Sequence, residues 1–425
     1  MKPVWNLPGF TLDLRHLWDK TGGPNVESQK AGLMEELHRL LQEKFASEVG
    51  FYDWPIKVRE SELVKIEHCS ENLRKRFDGV ACFGIGGSFL GAASVIGALR
   101  PPEDAFPLIW VSQVDPDSIS QAHRKIVGRN IAPVVISKSG NTVETLAGFY
   151  HFSRELNLDG CIVVTDPNKG ELRRLANQLA WQSFDVPSNI GGRFSVFTAV
   201  GLLPCALASI PIRALMDGAR AMRDCLEHLS PSENPAYWLA LSYKHWFDRG
   251  CNVQYWMPYH AQLRLLADWN IQLWSESLGK RKKVNAKEAT GFTACAALGT
   301  SDQHSLLQLF KDGPRDKVIG FLDVCSDTNT LIQEPAFSIE EGKQVVGHSF
   351  EELTRLACVA TETSLNRADV PTYRVILEPG AKALGALMFL DLVSCAFAGE
   401  LFGVSAFDQP GVEEAKKLLR ESMEK

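Results

Sequence analysis

Six short segments of this chain combine residue types suited to holding an anion or moving a weakly acidic proton. The first is Gly84-Ile85-Gly86-Gly87-Ser88, directly after an apolar run. Glycines let backbone approach an anion closely, and a helix beginning there would add free N–H donors. The spacing departs from the dinucleotide fingerprint and fits one phosphate or a sugar better than a pyrophosphate. A plain strand-to-helix turn would look the same. The second is Ser137-Lys138-Ser139-Gly140-Asn141-Thr142. Hydroxyls, a cation and turn N–H groups in one loop are the parts of a phosphate cradle. The loop lacks the Gly-Lys-Ser/Thr ending of an NTPase loop. The competing reading is a polar turn with a helix cap, and two such loops close together weigh toward phosphate.

The other four are weaker when taken singly. In Gly191-Gly192-Arg193-Phe194-Ser195 an arginine beside paired glycines could be fixed near a ligand while staying cationic. A lone arginine is more often a structural ion pair. In Trp274-Ser275-Glu276-Ser277-Leu278-Gly279-Lys280 the glutamate could sit in a pocket as a base. Its spacing alone favours an exposed helix-end carboxylate beside Lys280. Gly299-Thr300-Ser301-Asp302-Gln303-His304-Ser305 places His304 where ligand loops occur, as a proton shuttle or a hydrogen-bonded loop histidine. Phe407-Asp408-Gln409-Pro410-Gly411-Val412-Glu413 leads into a terminal helix with Lys416 one turn in. An isolated lysine there is ordinarily just solvated.

Elements that would position these loops alternate along the chain. Residues 80–85, 108–112, 132–137 and 161–165 read as buried strands. Helices follow over 90–99 and from about 142. The pattern resumes with strands over 253–257, 293–298, 317–324 and 373–377 and a helix over 263–277. Leu33, Leu37, Leu40, Leu41 and Phe45 recur at helical spacing. Such alternation predicts an α/β fold of two doubly wound parallel-sheet domains, α/β/α sandwiches with helical N- and C-terminal segments, and a ligand at the carboxyl ends of strands. The expected division is a helical segment 1–50, a first domain 51–205, a helical connection 206–245, a second domain 246–400 and a C-terminal helix 401–425.

Composition bounds the function. The 425 residues are 45% hydrophobic and 23% charged, with a net charge of -6 and no long run of one sign, which argues against a nucleic-acid protein. An anionic substrate must therefore be held by local groups. The apolar stretch 199–212 contains Pro204 and Pro211, and 383–398 is interrupted by Asp391. Both fall short of the roughly 20 residues of a membrane span, so no membrane association is expected. Ten cysteines lie far apart and ten histidines form no ligand cluster, so no metal is expected. The count leaves disulfides open, but the start of the chain lacks the apolar core of a signal peptide, which points to a reducing cytoplasm.

Taken together and in order, the six segments resemble the glucose-6-phosphate isomerase family, compact bacterial type, from about residue 80 onward. Ser188-Asn189-Ile190-Gly191-Gly192-Arg193-Phe194-Ser195-Val196 and Phe407 to Glu413 with Lys416 are the most specific stretches. The resemblance implies two sugar-isomerase (SIS) domains, a sugar-phosphate substrate, no cofactor and a homodimer in which His304 enters the partner's site. It implies that Gly87, Ser88, Ser137, Lys138, Ser139, Thr142 and Gly192 surround the substrate phosphate and sugar, and that Gln272 and Gln409 contact substrate. It implies Glu276 as the base between C1 and C2, Arg193 as the cation beside the enediol, and His304 and Lys416 as the ring-opening pair. Asn141 stands where threonine is usual, and Pro410 replaces a frequent tryptophan. Other readings are an isomerase acting on both glucose and mannose 6-phosphate, and a non-catalytic sugar-phosphate sensor. No basic helix-turn-helix segment accompanies the sensor reading.

Overall fold

A computed structural model describes residues 4–18, 31–99, 101, 105–281, 288–325 and 330–423. Residues 1–3, 19–30 and 424–425 of the expected terminal segments lie outside them. The chain opens with two short strands, β1 (Val4–Leu7) and β2 (Phe10–Asp13). Next come β3 (Gly79–Phe83), β4 (Leu108–Val111), β5 (Ile131–Ser137), β6 (Ile162–Thr165) and β7 (Gln182–Asp185). They form one sheet in the order β4-β3-β5-β6-β7, with every pairing parallel. The central β3, β5 and β6 are buried at every residue. Helices cover both faces, and a strand without a wet face reads as a near-continuous apolar run.

The second half adds β8 (Val253–Pro258), a two-stranded ribbon of β9 (Lys280–Arg281) and β10 (Ala289–Thr290), then β11 (Thr293–Ala296), β12 (Lys317–Val324) and β13 (Thr372–Leu377). Its sheet runs β1-β2-β13-β12-β8-β11. The strands β11, β8, β12 and β13 are mutually parallel, while β2 pairs antiparallel with β13. The expected eight strands and the α/β class are thus observed. Two features went unexpected. The strand β7 has one apolar residue, Phe184, because an edge strand needs to turn only one side chain inward. The hairpin of β1 and β2 lies within the N-terminal stretch read as helical. Its Phe10 and Leu12 alternate inward, but four residues are too few for a pattern.

A layer of helices binds the two sheets into one core. Its axis is the 22-residue helix Ala381–Phe402. This helix is long and apolar enough to cross a membrane, yet 89% of its apolar window is buried inside the protein. The helix Ile212–Glu227 packs against it backbone to backbone. A Cβ at Gly218 would fall on the Lys382 carbonyl, and one at Gly385 on the Leu215 carbonyl. A single carboxylate, Asp391, sits in the buried part of this apolar helix at 2% exposure. It accepts from Asn270 Nδ2 at 2.5 Å and Trp274 Nε1 at 3.3 Å. Both donors lie on the helix Arg264–Leu278, which also carries Gln272 and Glu276.

Candidate active site

In the first sheet the order reverses between β3 and β5, and such a switch point opens a crevice at the carboxyl ends of the strands. The loop after β3 is Gly84–Ser88 and the loop after β5 runs from Ser137 to Thr142, so topology places both glycine- and serine-rich loops at one crevice. The first loop is pressed against a second turn, Gly192–Phe194. A Cβ on Gly87 would land on the carbonyl carbon and oxygen of Gly192, so only glycine permits this approach.

The second loop faces a cavity of about 580 Å³ lined by Lys138, Ser139, Asn141, Thr142, Gln409 and Lys416, among others. Ser137 Oγ meets Thr142 Oγ1 at 2.8 Å, and Ser139 Oγ accepts from Asn141 N at 3.2 Å. Thr142 precedes the helix Val143–Phe152 and makes no side-chain cap to it, which leaves first-turn N–H groups toward the cavity. Lys138 Nζ donates to Ser188 O at 2.9 Å. Burial pulls its ammonium below the usual lysine range, with Asp166 opposing. Asn141 Oδ1 accepts from Glu171 N at 2.8 Å.

One hydrogen bond beyond that cavity stands the ion pair. Arg193 Nη1 is 3.1 Å from Gln409 Oε1 and 3.2 Å from Glu276 Oε1. Gln272 Nε2 donates to Glu276 Oε2 at 3.2 Å, one helical turn earlier. The arginine side chain is 2% exposed and the glutamate 27%, so the cation is walled in while the carboxylate still meets solvent. Arg193 Nε donates to Ser277 Oγ at 2.8 Å, and Nη2 donates to the carbonyls of Ala406 and Asp408 at 2.5 and 2.9 Å. Burial draws the guanidinium pKa down and the Glu276 carboxylate partly restores it. A guanidinium stays charged under such a shift, whereas an ammonium could lose its proton.

The structure therefore brings together Gly87, Gly192, Arg193, Gln272, Glu276 and Gln409 at one end, and Ser137, Lys138, Ser139, Thr142 and Lys416 at the other. Ser88 is half-buried at the end of the glycine turn. Lys416 is half-exposed and paired with Glu413 at 2.8 Å. His304 stands apart. It is exposed in the first turn of the helix Gln303–Asp312, on the other sheet, and does not line the cavity. Ser277 had no assigned role in sequence, although it adjoins Glu276. Its hydroxyl orients Arg193 from a residue far away in the chain, a pairing that only folding reveals.

Known proteins are similar to this chain over most of its length. The family model described as phosphoglucose isomerase matches residues 62–425. A glucose-6-phosphate isomerase of Carboxydothermus hydrogenoformans is 37% identical over 94% of this chain and 90% of its own. One from Thermus thermophilus is 32% identical over 97% and 99%. A solved structure of a hypothetical protein from Thermus thermophilus superposes with a TM-score of 0.88 at 33% identity, covering 97% of this chain and 99% of that one. The glucose-6-phosphate isomerase of Chlamydia trachomatis, at 20% identity and a TM-score of 0.79, shares the fold over 99% of this chain and 90% of its own. With its glycine turns, buried arginine and helix-borne glutamate, the chain belongs to the phosphoglucose isomerase family.

Proposed function

We propose that the chain interconverts glucose 6-phosphate and fructose 6-phosphate in this crevice. The observation that carries the reading is the Arg193–Glu276 pair, 3.2 Å apart, joined through Gln409 to the serine-lined cavity. The phosphate docks against Ser137, Ser139, Thr142 and Lys138, with Ser88 on the sugar side, and this remote grip orients the reacting carbons. Lys416 and a histidine open the ring by moving protons at the ring oxygen and the C1 hydroxyl. Glu276 then removes the C2 proton from the open aldehyde and returns it to C1, a step for which a positioned base contributes about 10² to 10⁴ in rate. Negative charge that develops on the enediol oxygens faces Arg193, and one such donor supplies roughly 10² to 10³. Gln272 holds Glu276 Oε2, so Oε1 is the oxygen turned toward Arg193 and substrate.

The histidine is His304 of a second copy. Its exposure on the far sheet, away from its own Glu276, supports a homodimer that exchanges this residue. A cytoplasmic setting agrees with cysteines that form no disulfide among the described residues. Glu276→Gln should keep substrate affinity while isomerisation and solvent exchange of the C2 proton both stop. Turnover near that of the unmodified protein would refute Glu276 as base. The gathering of base, cation and Lys416 in one crevice favours an enzyme over a sensor. Parallel assays with mannose 6-phosphate measure the breadth of substrate choice.

A further inference from the structure

Lys280 follows the Glu276 helix by two residues, in β9, and neither the base, the cation nor the phosphate cradle includes it. Its side chain is only 8% exposed. An ammonium partly withdrawn from water costs free energy unless its protons find acceptors. Here all three do. Nζ donates to the carbonyl of Ser405, to the carbonyl of Asp408 at 2.7 Å, and to the Asp408 carboxylate at 2.7 Å. Burial lowers its pKa, Asp408 opposes that shift, and the neighbouring positive Arg193 adds to it.

The target of these bonds matters more than their number. Residues 405–408 form the turn that presents Gln409 to Arg193 and leads into the helix Glu413–Met423 bearing Lys416. Arg193 binds the same turn from the opposite side, at Ala406 O and again at Asp408 O. One carbonyl thus lies between two cations, one from the glycine turn after the first sheet and one from the end of the base-bearing helix. Within the turn, Phe407 N is bonded to Ser405 Oγ, and the Asp408 side chain is mostly exposed. Without the ammonium, the Ser405 carbonyl and the Asp408 carboxylate lose this donor, and Arg193 holds the turn only at Ala406 O and Asp408 O.

We infer that Lys280 is a positioning residue of the isomerase site: its triply bonded ammonium pins the 405–408 turn and so sets Gln409 and the Lys416 helix against Arg193 and Glu276. The inference rests on the proposed roles of Gln409 and Lys416. It assigns the phosphate grip to a different loop, so it separates effects on turnover from effects on affinity.

The test uses the full chain with Lys280→Met, which keeps the aliphatic stem, and Lys280→Ala, which opens the space. Beside Lys280 lies a cavity of about 860 Å³ that admits a small amine. Misplacing a catalytic group by about 1 Å costs on the order of 10²-fold, so both variants should lose roughly ten- to a hundredfold in kcat per folded molecule, with KM moving less than about threefold. Added n-propylamine should restore Lys280→Ala saturably, whereas n-propanol should not. Wild-type kcat in Lys280→Met overturns the inference, because the charge is then unnecessary. A loss carried mainly by KM overturns it, as does equal or absent restoration by the amine and the alcohol. Should Lys280→Ala fail to fold, the Lys280→Met split between kcat and KM decides alone. An active Glu276→Gln would refute the base while leaving the Lys280 comparison readable, since both are measured against the turnover of the unmodified enzyme.

Discussion

Arg193 is engaged at all three guanidinium nitrogens before any substrate arrives. This fixes its charge in space, so a developing oxyanion meets a field that need not reorganise. Arg193→Ala should therefore lower kcat by about 10² or more. It should also lower the melting temperature, because the Ala406 and Asp408 carbonyls lose a donor in a buried place. Arg193→Lys should recover little of either, since one ammonium on a flexible stem cannot reach Ser277, Gln409 and two carbonyls together. Steady-state kinetics with thermal melts check both. In sequence the same residue reads as a lone arginine and Glu276 as a helix-end carboxylate. Neither reading is unreasonable, because their partners come from distant segments and no spacing encodes them. The resemblance to a family supplied the pairing that periodicity could not.

Elements explain why the pieces meet. Parallel strands were legible because burial on both faces forces continuous apolar runs, as in Gly79–Phe83 and Ile131–Ser137. The edge strand β7 and the N-terminal hairpin were not, since one or two inward side chains carry too little pattern. At the glycine turn, Gly87→Ala should disrupt the contact with Gly192 and abolish turnover, measured beside a far-ultraviolet spectrum that reports the retained fold. Under the site, Asp391 ties the core helix to the helix of Glu276. Burial pushes its carboxyl up to about 7 from 3.8, with Asn270 and Trp274 opposing. The folded form thus prefers the proton, and the stabilisation this supplies is complete below about pH 3.8 and lost as pH rises through about 7. Asp391→Asn lacks this loss. Its stability should gain on the unmodified protein as pH rises from about 5 to about 8, by at most roughly 1.4 kcal/mol per unit. Melting curves of the two proteins across that range test it, and parallel curves would show that Asp391 does not titrate there.

Across the whole molecule, the two sheets repeat one plan. The order β11-β8-β12-β13 matches β4-β3-β5-β6, and the N-terminal hairpin occupies the flank that β7 occupies in the first sheet. No sequence repeat announces this symmetry, because only burial and turns are shared. The two crevices differ in charge. At the second switch point His260 lies 3.6 Å from Glu351 and 4.0 Å from Asp323, an acidic setting that repels a phosphate. The first offers Lys138 and serines. Proposed exchange of His304 between copies also belongs to this scale. Mixing inactive His304→Ala and Glu276→Gln proteins under conditions that reshuffle subunits should restore activity, because each mixed dimer regains one intact site. Persistent inactivity after demonstrated mixing would place the ring-opening histidine elsewhere. The hairpin carries a last consequence. Residues 10–13 of β2 zip onto 374–377 of β13, so a strand made early waits for one made much later before it finds its place in the sheet. The first sheet, contiguous over 79–185, has no such delay. A nascent chain should therefore shield residues 79–185 from protease well before residues 4–13, and its second sheet should assemble only after residues 372–377 have been made.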